Sequence, residues 1–124
     1  MGIGIVSCNH VNVTVPAELE DAAKRFYGSV LGLGEIPKPV GSRQNMGAWY
    51  QLGDLQLHLS VENSNQQVSD RHVGYEVVDI EAAESAFITA GVEIVPDKRP
   101  MSGQSRFYVR DPGGNLLEII QKKA

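Results

Sequence analysis

The apolar positions of this chain change period repeatedly, and each change marks an element. Val11, Val13 and Val15 alternate with His10, Asn12 and Thr14, the period of two of a strand, and Pro16 ends it. Leu19, Ala22, Ala23, Phe26, Val30 and Leu31 then follow helical spacing, which predicts a helix over about 18–31. Acidic residues crowd its first turns, and Gly32 and Gly34 stop it. Residues 35–45 contain Pro37, Pro39 and Gly41 and read as an edge strand or a loop. Two strands follow, over 47–52 and 55–61, joined by a tight hairpin at Gly53-Asp54. On the second of them Leu55, Leu57, Leu59 and Val61 share one face, and Gln56, His58 and Ser60 the other. The polar stretch over 62–70 reads as a linker. The pattern then begins again. His72 to Val78 alternates as a strand, Asp79 is a helix N-cap, and Ile80, Ala83, Ala86, Phe87 and Ala90 give a helix ended by Gly91. Strands are predicted over 92–95, 104–110 and 115–121.

Each half therefore reads strand, helix, then three strands, an internal repeat. His10-Val11 begins one half and His72-Val73 the other. Trp49-Tyr50 answers Phe107-Tyr108, and Leu57-His58-Leu59 answers Leu117-Glu118-Ile119. On this matching Trp49 and Phe107 are expected in the core. Halves of roughly 60 residues are too small to bury a sheet face alone and are expected to pack together. The expectation is one α+β domain over 1–124, with module one at about 7–62 and module two at about 71–122.

The stretch Asp111 to Ile120 carries the sharpest chemical signal. Asp111-Pro112-Gly113-Gly114-Asn115 is turn chemistry, and Leu116, Leu117, Ile119 and Ile120 read as a strand buried on both faces, with Glu118 among them. A carboxylate there needs a bound cation, a basic partner, or exposure at a strand end. The repeat puts His10 and His72 on the first strands of the two halves, and His58 and Glu118 on the last. These include all three histidines of the protein. Imidazole and carboxylate donors converging on one sheet face would suit a divalent ion: Zn, Ni, Fe, Co or Mn. The alternative is that each histidine is a polar strand residue bonded to solvent or backbone. Asn12, Thr14, Trp49, Gln56, Ser60, Glu76, Arg106 and Tyr108 are candidates for the wall of such a site.

Composition narrows the partners. A net charge of -4 without long basic runs speaks against nucleic acid and anionic membrane surfaces. The single cysteine, Cys8, excludes an internal disulfide, fits a reducing compartment and is expected as a small buried hydrophobe. No leader pattern and no span of membrane length are visible, so the expected location is cytoplasmic.

HVNVTVPAELEDAAKRFYGSVLGL, LHLSVE, RHVGYEVVDIEAAESAFITAGVEI and RDPGGNLLEII resemble the vicinal oxygen chelate superfamily, which includes glyoxalase I, bleomycin-resistance proteins, fosfomycin-resistance proteins and extradiol dioxygenases. The resemblance covers nearly the whole chain. It implies two tandem βαβββ modules whose mixed sheets form a cup around one divalent metal ion. It matches His10, His72 and Glu118 to the two histidines and the glutamate shared by most metal-using members. His58 falls where glyoxalase I has glutamate and related epimerases glutamine, which makes it a fourth metal-ligand candidate. The implied chemistry is bidentate chelation of a small-molecule substrate through vicinal oxygens. The first expectation is a glyoxalase I- or epimerase-like lyase or isomerase that stabilises an enediolate, with Glu118 as catalytic base. Extradiol dioxygenase chemistry is an alternative, since two histidines and one carboxylate suit it. A metal-free, bleomycin resistance-like sequestering protein and fosfomycin-type thiol transfer, with Arg106 and Arg110 meeting an anion, rank below. A two-fold homodimer is expected, with each cup completed within one chain or across the pair.

Overall fold

The computed structural model describes residues 2–63 and 69–122. The chain divides into two compact units, Met1–Asn63 and Ser64–Ala124. Most of the expected linker lies outside the described residues.

In the first unit, β1 (His10–Val15) stops at Pro16 and leads into one helical run with three geometries. A 3₁₀ turn over Ala17–Leu19 opens it, α1 (Glu20–Arg25) continues it, and a wider π turn over Phe26–Val30 closes it. The expected regular helix is thus loosened at its end, where Leu31 N–H reaches back five residues to the Phe26 carbonyl at 2.8 Å. The widening sets both Phe26 and Tyr27 into the core, and Tyr27 meets Tyr50 with ring centroids 6.3 Å apart. Burial pushes the Tyr50 phenol up to about 12. β2 (Glu35–Ile36) is a two-residue edge strand, followed by β3 (Ala48–Leu52) and β4 (Leu55–Val61). The sheet order is β1-β4-β3-β2, with β1 parallel to β4 and the other pairs antiparallel. Val15, Ala23, Ala48, Leu57 and Leu59 complete the buried set.

The second unit repeats the order. β5 (His72–Glu76) leads to α2 (Ile80–Thr89), whose N-cap is Asp79, the side chain accepting from Ala82 N–H at 3.1 Å. β6 (Gln104–Arg110) and β7 (Leu116–Lys122) complete a sheet of order β5-β7-β6, with β5 parallel to β7 and β6 antiparallel to it. The strand expected over 92–95 shrinks to a single bridge, Val95 to Tyr108. Pro96 has no N–H to extend it. Phe87 packs edge-to-face on Phe107 at 5.9 Å over buried Val109, Leu117 and Ile119. Only Leu117 and Ile119 of β7 are fully buried. Leu116, Glu118 and Ile120 line a half-buried face, so the strand alternates and is not apolar on both sides.

The architecture is α+β, two small mixed sheets from two like units, as the periodicity predicts. No described helix is long and apolar enough to cross a membrane. Cys8 departs from expectation: it is exposed, in the segment before β1 that also exposes Ile3, Ile5 and Val6.

The turn before β7 is built around Asp111, only 4% exposed. Its carboxylate accepts from Gly113 N–H and Asn115 N–H, both at 2.9 Å, and from the Asn115 amide at 2.8 Å. Gly114 takes φ 90°, the conformation glycine allows. Asp111→Ala should cost about 2–4 kcal/mol, because two backbone donors lose a charged acceptor at once. Urea unfolding checks this, and a shift below about 0.5 kcal/mol would contradict it.

Candidate functional site

Strand alternation collects the candidate residues on one face of each sheet. In the first unit, Trp49 on β3 lies opposite His58 on β4, and Asn12 on β1 lies opposite His58 on the other side. The rings stack: Trp49 on His58 at 3.7 Å and 5°, and His58 on His10 at 4.1 Å and 16°. Asn9 Oδ1 lies 2.8 Å from His10 Nδ1. A carbonyl oxygen only accepts, so Nδ1 carries the hydrogen and Nε2 offers a lone pair. His58 is oriented the other way round, its Nε2 donating to Gln56 Oε1 at 2.9 Å. Burial holds the His58 pKa below its ordinary value, with His10 and Lys38 adding repulsion. Ser60 donates to Asn12 at 2.7 Å.

The second unit holds the other two candidates in direct contact. Gly74 on β5 and Tyr108 on β6 flank Glu118 on β7. Glu118 reaches across to His72, and Oε1 sits 3.0 Å from Nε2. The other carboxylate oxygen, Oε2, meets Arg106 Nη1 at 3.5 Å. Of the three compensations open to a shielded Glu118, the structure provides the basic partner. Arg106 is itself fixed by Asp97, Nε to Oδ2 at 2.9 Å, and donates from Nη2 to the Arg99 carbonyl at 2.9 Å. The hydrogen bond from Arg106 leads in holding the Asp97 carboxyl below the usual range, and the one from Arg99 N–H adds to it. Arg110 donates to the Gly114 carbonyl at 2.8 Å, and the exposed Glu76 pairs with Lys122 at 3.5 Å.

The His72–Glu118 contact bears on whether a metal fits. His72 Nδ1 lies 2.8 Å from the Asp70 carbonyl and must donate to it. Nε2 then faces a carboxylate oxygen with a lone pair of its own, an arrangement completed by a proton or a bound cation. A backbone carbonyl fixing Nδ1–H is also the usual support for a histidine that ligates through Nε2. The donor set suits a divalent ion. No group of three or more His, Cys, Asp or Glu side chains placed to hold one occurs among the described residues.

A cavity of about 320 Å³ opens beside this pair, within the second unit. Lys98, Arg99, Arg106 and Arg110 outnumber Asp70 and Asp97 in its lining, which leaves it net positive although Arg106 is paired to Asp97, with His72 and Tyr108 as further walls. A smaller cavity of about 180 Å³ in the first unit is bounded by Trp49, Ser60, Lys38 and Arg43. The Lys38 ammonium ties this loop by donating to the carbonyls of Arg43 and Met46.

The register corrects one sequence reading. Trp49 is opposite His58 and Tyr108 is opposite Glu118, while Ile36 pairs with Trp49 and Val95 with Tyr108. Trp49 therefore answers Tyr108, not Phe107, and stacks on the site face instead of entering the core. Asn9, Asp70 and Asp97 were not legible as site residues. The only signal for Asn9 was its adjacency to His10.

A model of the Glyoxalase/Bleomycin resistance protein/Dioxygenase superfamily matches residues 8–119. The glutathione transferase FosA of Serratia marcescens is 31% identical over 120 residues, covering 91% of this chain and 79% of that one. A solved structure described as a glyoxalase family protein from Bacillus anthracis is 34% identical, covers 99% of this chain and 100% of its own, and superposes with a TM-score of 0.87. A variant of the fosfomycin resistance protein FosX from Listeria monocytogenes, solved with Mn(II) and 1S,2S-dihydroxypropylphosphonic acid, superposes with a TM-score of 0.80. It is 16% identical, covers 96% of this chain and 94% of its own, and the likeness is one of fold.

Proposed function

We infer what this chain does from one premise: it belongs to the Glyoxalase/Bleomycin resistance protein/Dioxygenase superfamily. We propose that it is a metal-dependent enzyme acting on a small anionic substrate with neighbouring oxygens, a phosphonate in the first instance. The observation that carries this reading is the His72–Glu118 pair, two acceptor atoms face to face, with His72 at the wall of a cavity where four cationic side chains outnumber the carboxylates of Asp70 and Asp97. The phosphonic acid bound in the FosX variant is an anion of this kind, and the similarity to the glutathione transferase FosA is the reason for testing a thiol co-substrate.

In this reading His10, His72 and Glu118 hold the ion, the two units coming from one chain or from the two chains of a homodimer. A divalent ion there supplies Lewis-acid polarisation of substrate oxygens. Lys98 and Arg99, whose side chains are exposed at the cavity, meet the anionic head together with Arg110. Tyr108 walls the pocket. Glu118 takes the ligand role over that of base, since His72 and Arg106 engage both its oxygens. This reading leaves His58 out of the ligand set. Its Nε2 is held by Gln56, and stacked rings aim their lone pairs in parallel, not at one point. Glyoxalase-type proton transfer is the second reading, favoured by the 34% identical glyoxalase family structure.

The test is parallel turnover. Protein loaded with Mn(II) is given fosfomycin, with and without glutathione, and separately the hemithioacetal of methylglyoxal. Consumption of fosfomycin, followed by phosphorus NMR after metal removal, is the expected result. Consumption of the hemithioacetal alone would replace this reading with the second.

A further inference from the structure

We propose that Arg106 is a positioning residue that restricts Glu118 to one-oxygen coordination of the metal. The inference rests on the ligand set proposed above and adds how one of those ligands is held. All the contacts lie within the second unit. Arg106 reaches Glu118 from β6, on the side away from His72. Its guanidinium is anchored twice before it meets Glu118, by Asp97 at 2.9 Å and by the Arg99 carbonyl at 2.9 Å, and its Cζ sits 5.7 Å from the Tyr108 ring centroid. The remaining Nη1 faces Glu118 Oε2 at 3.5 Å, while Oε1 is the oxygen turned to His72 Nε2. The two carboxylate oxygens are thus assigned different partners by a planar fork that cannot swing without breaking its bonds to Asp97 and Arg99.

A carboxylate free at both oxygens can bind a hard or borderline ion through either one or two. Two-oxygen binding would occupy a position that a substrate with neighbouring oxygens needs. Arg106 competes with the metal for the second oxygen, because its anchored guanidinium holds a positive charge 3.5 Å from Oε2. Its positive charge also opposes metal binding, which leaves the ion a stronger Lewis acid toward substrate.

The probe is Mn(II), and the readout is the number of exchangeable waters on the bound ion, measured by water-proton relaxation dispersion. In Arg106→Met, Glu118 closes onto the ion with both oxygens, and the count falls by one relative to the parent. Asp97→Asn, which weakens the anchor but leaves the guanidinium in place, is a milder substitution on a loop and should move the count in the same direction. A count unchanged in both variants overturns the proposal. A parent that binds no Mn(II) overturns the ligand set itself, and with it this inference, so the two failures are distinguishable.

Discussion

Glu118→Ala, His72→Ala and His10→Ala should each weaken Zn(II) or Mn(II) binding by more than about 100-fold, whereas His58→Ala should change it by no more than about 3-fold. Loss of a partner that merely supports a ligand typically costs 10–100-fold, so loss of one of three ligands should exceed that range. Glu118→Ala has a second consequence. It leaves Arg106 paired to Asp97 alone, and His72 Nε2 facing no charge. His58 behaves differently because its ring is wedged between Trp49 and His10, with Nε2 committed to Gln56. Removing it costs packing and burial more than metal. Calorimetric titration of the four variants separates the cases. A drop of more than about 100-fold for His58→Ala would restore the four-ligand site that strand position suggests.

Gly47→Ala should be the most damaging single substitution in the first unit, at about 3 kcal/mol or more. Gly47 has φ 73°, and a Cβ built there would lie 2.0 Å from the Leu59 carbonyl oxygen. That oxygen belongs to β4, which is paired on both sides and cannot retreat without disturbing β1 or β3. Gly47 N–H also donates to Glu20 Oε2 at 2.7 Å, the leading cause of the lowered Glu20 pKa, with Lys24 3.3 Å away. Gly41→Ala is the control. Its φ is 99°, yet nothing lies within 4 Å of the added carbon, so only backbone strain of about 1–2 kcal/mol remains. Urea unfolding of both variants isolates the contact. Equal midpoint shifts would show that Leu59 accommodates the methyl.

The outcome for the sequence reading differs from residue to residue, for physical reasons. The face that carries His10, Asn12 and Thr14, and the face that carries Gln56, His58 and Ser60, follow from alternation alone, since a strand has no other period available. His72 and Glu118 become neighbours because the first and last strands of their unit pair, and the repeat pointed to that pairing. Trp49 was misplaced because matching the halves by aromatic identity slips the register by one, and one position in a strand exchanges core for surface. The π turn at Phe26–Val30 was hidden because residues at helical spacing do not reveal how wide the last turn opens. Asp97, Asp70 and Asn9 act through loop geometry or a single neighbouring atom, and no periodicity encodes that. Cys8 escapes burial because no strand or helix forms around it.

Among the described residues the first strand of each unit has a single neighbour, and that neighbour is the last strand: β1 finds β4, and β5 finds β7. A chain made from its N-terminus therefore exposes an unpaired strand through nearly the whole synthesis of each unit. The sheet of the second unit cannot close until the residues of β7 have emerged. Such long-range parallel pairing is slow to form, and open edges invite association in the meantime. His72 and Glu118 stand 46 positions apart on those two strands. An ion held by both would arrive only after the sheet has closed. It would not seed folding, as a structural zinc does, and chains released early would compete poorly for scarce metal.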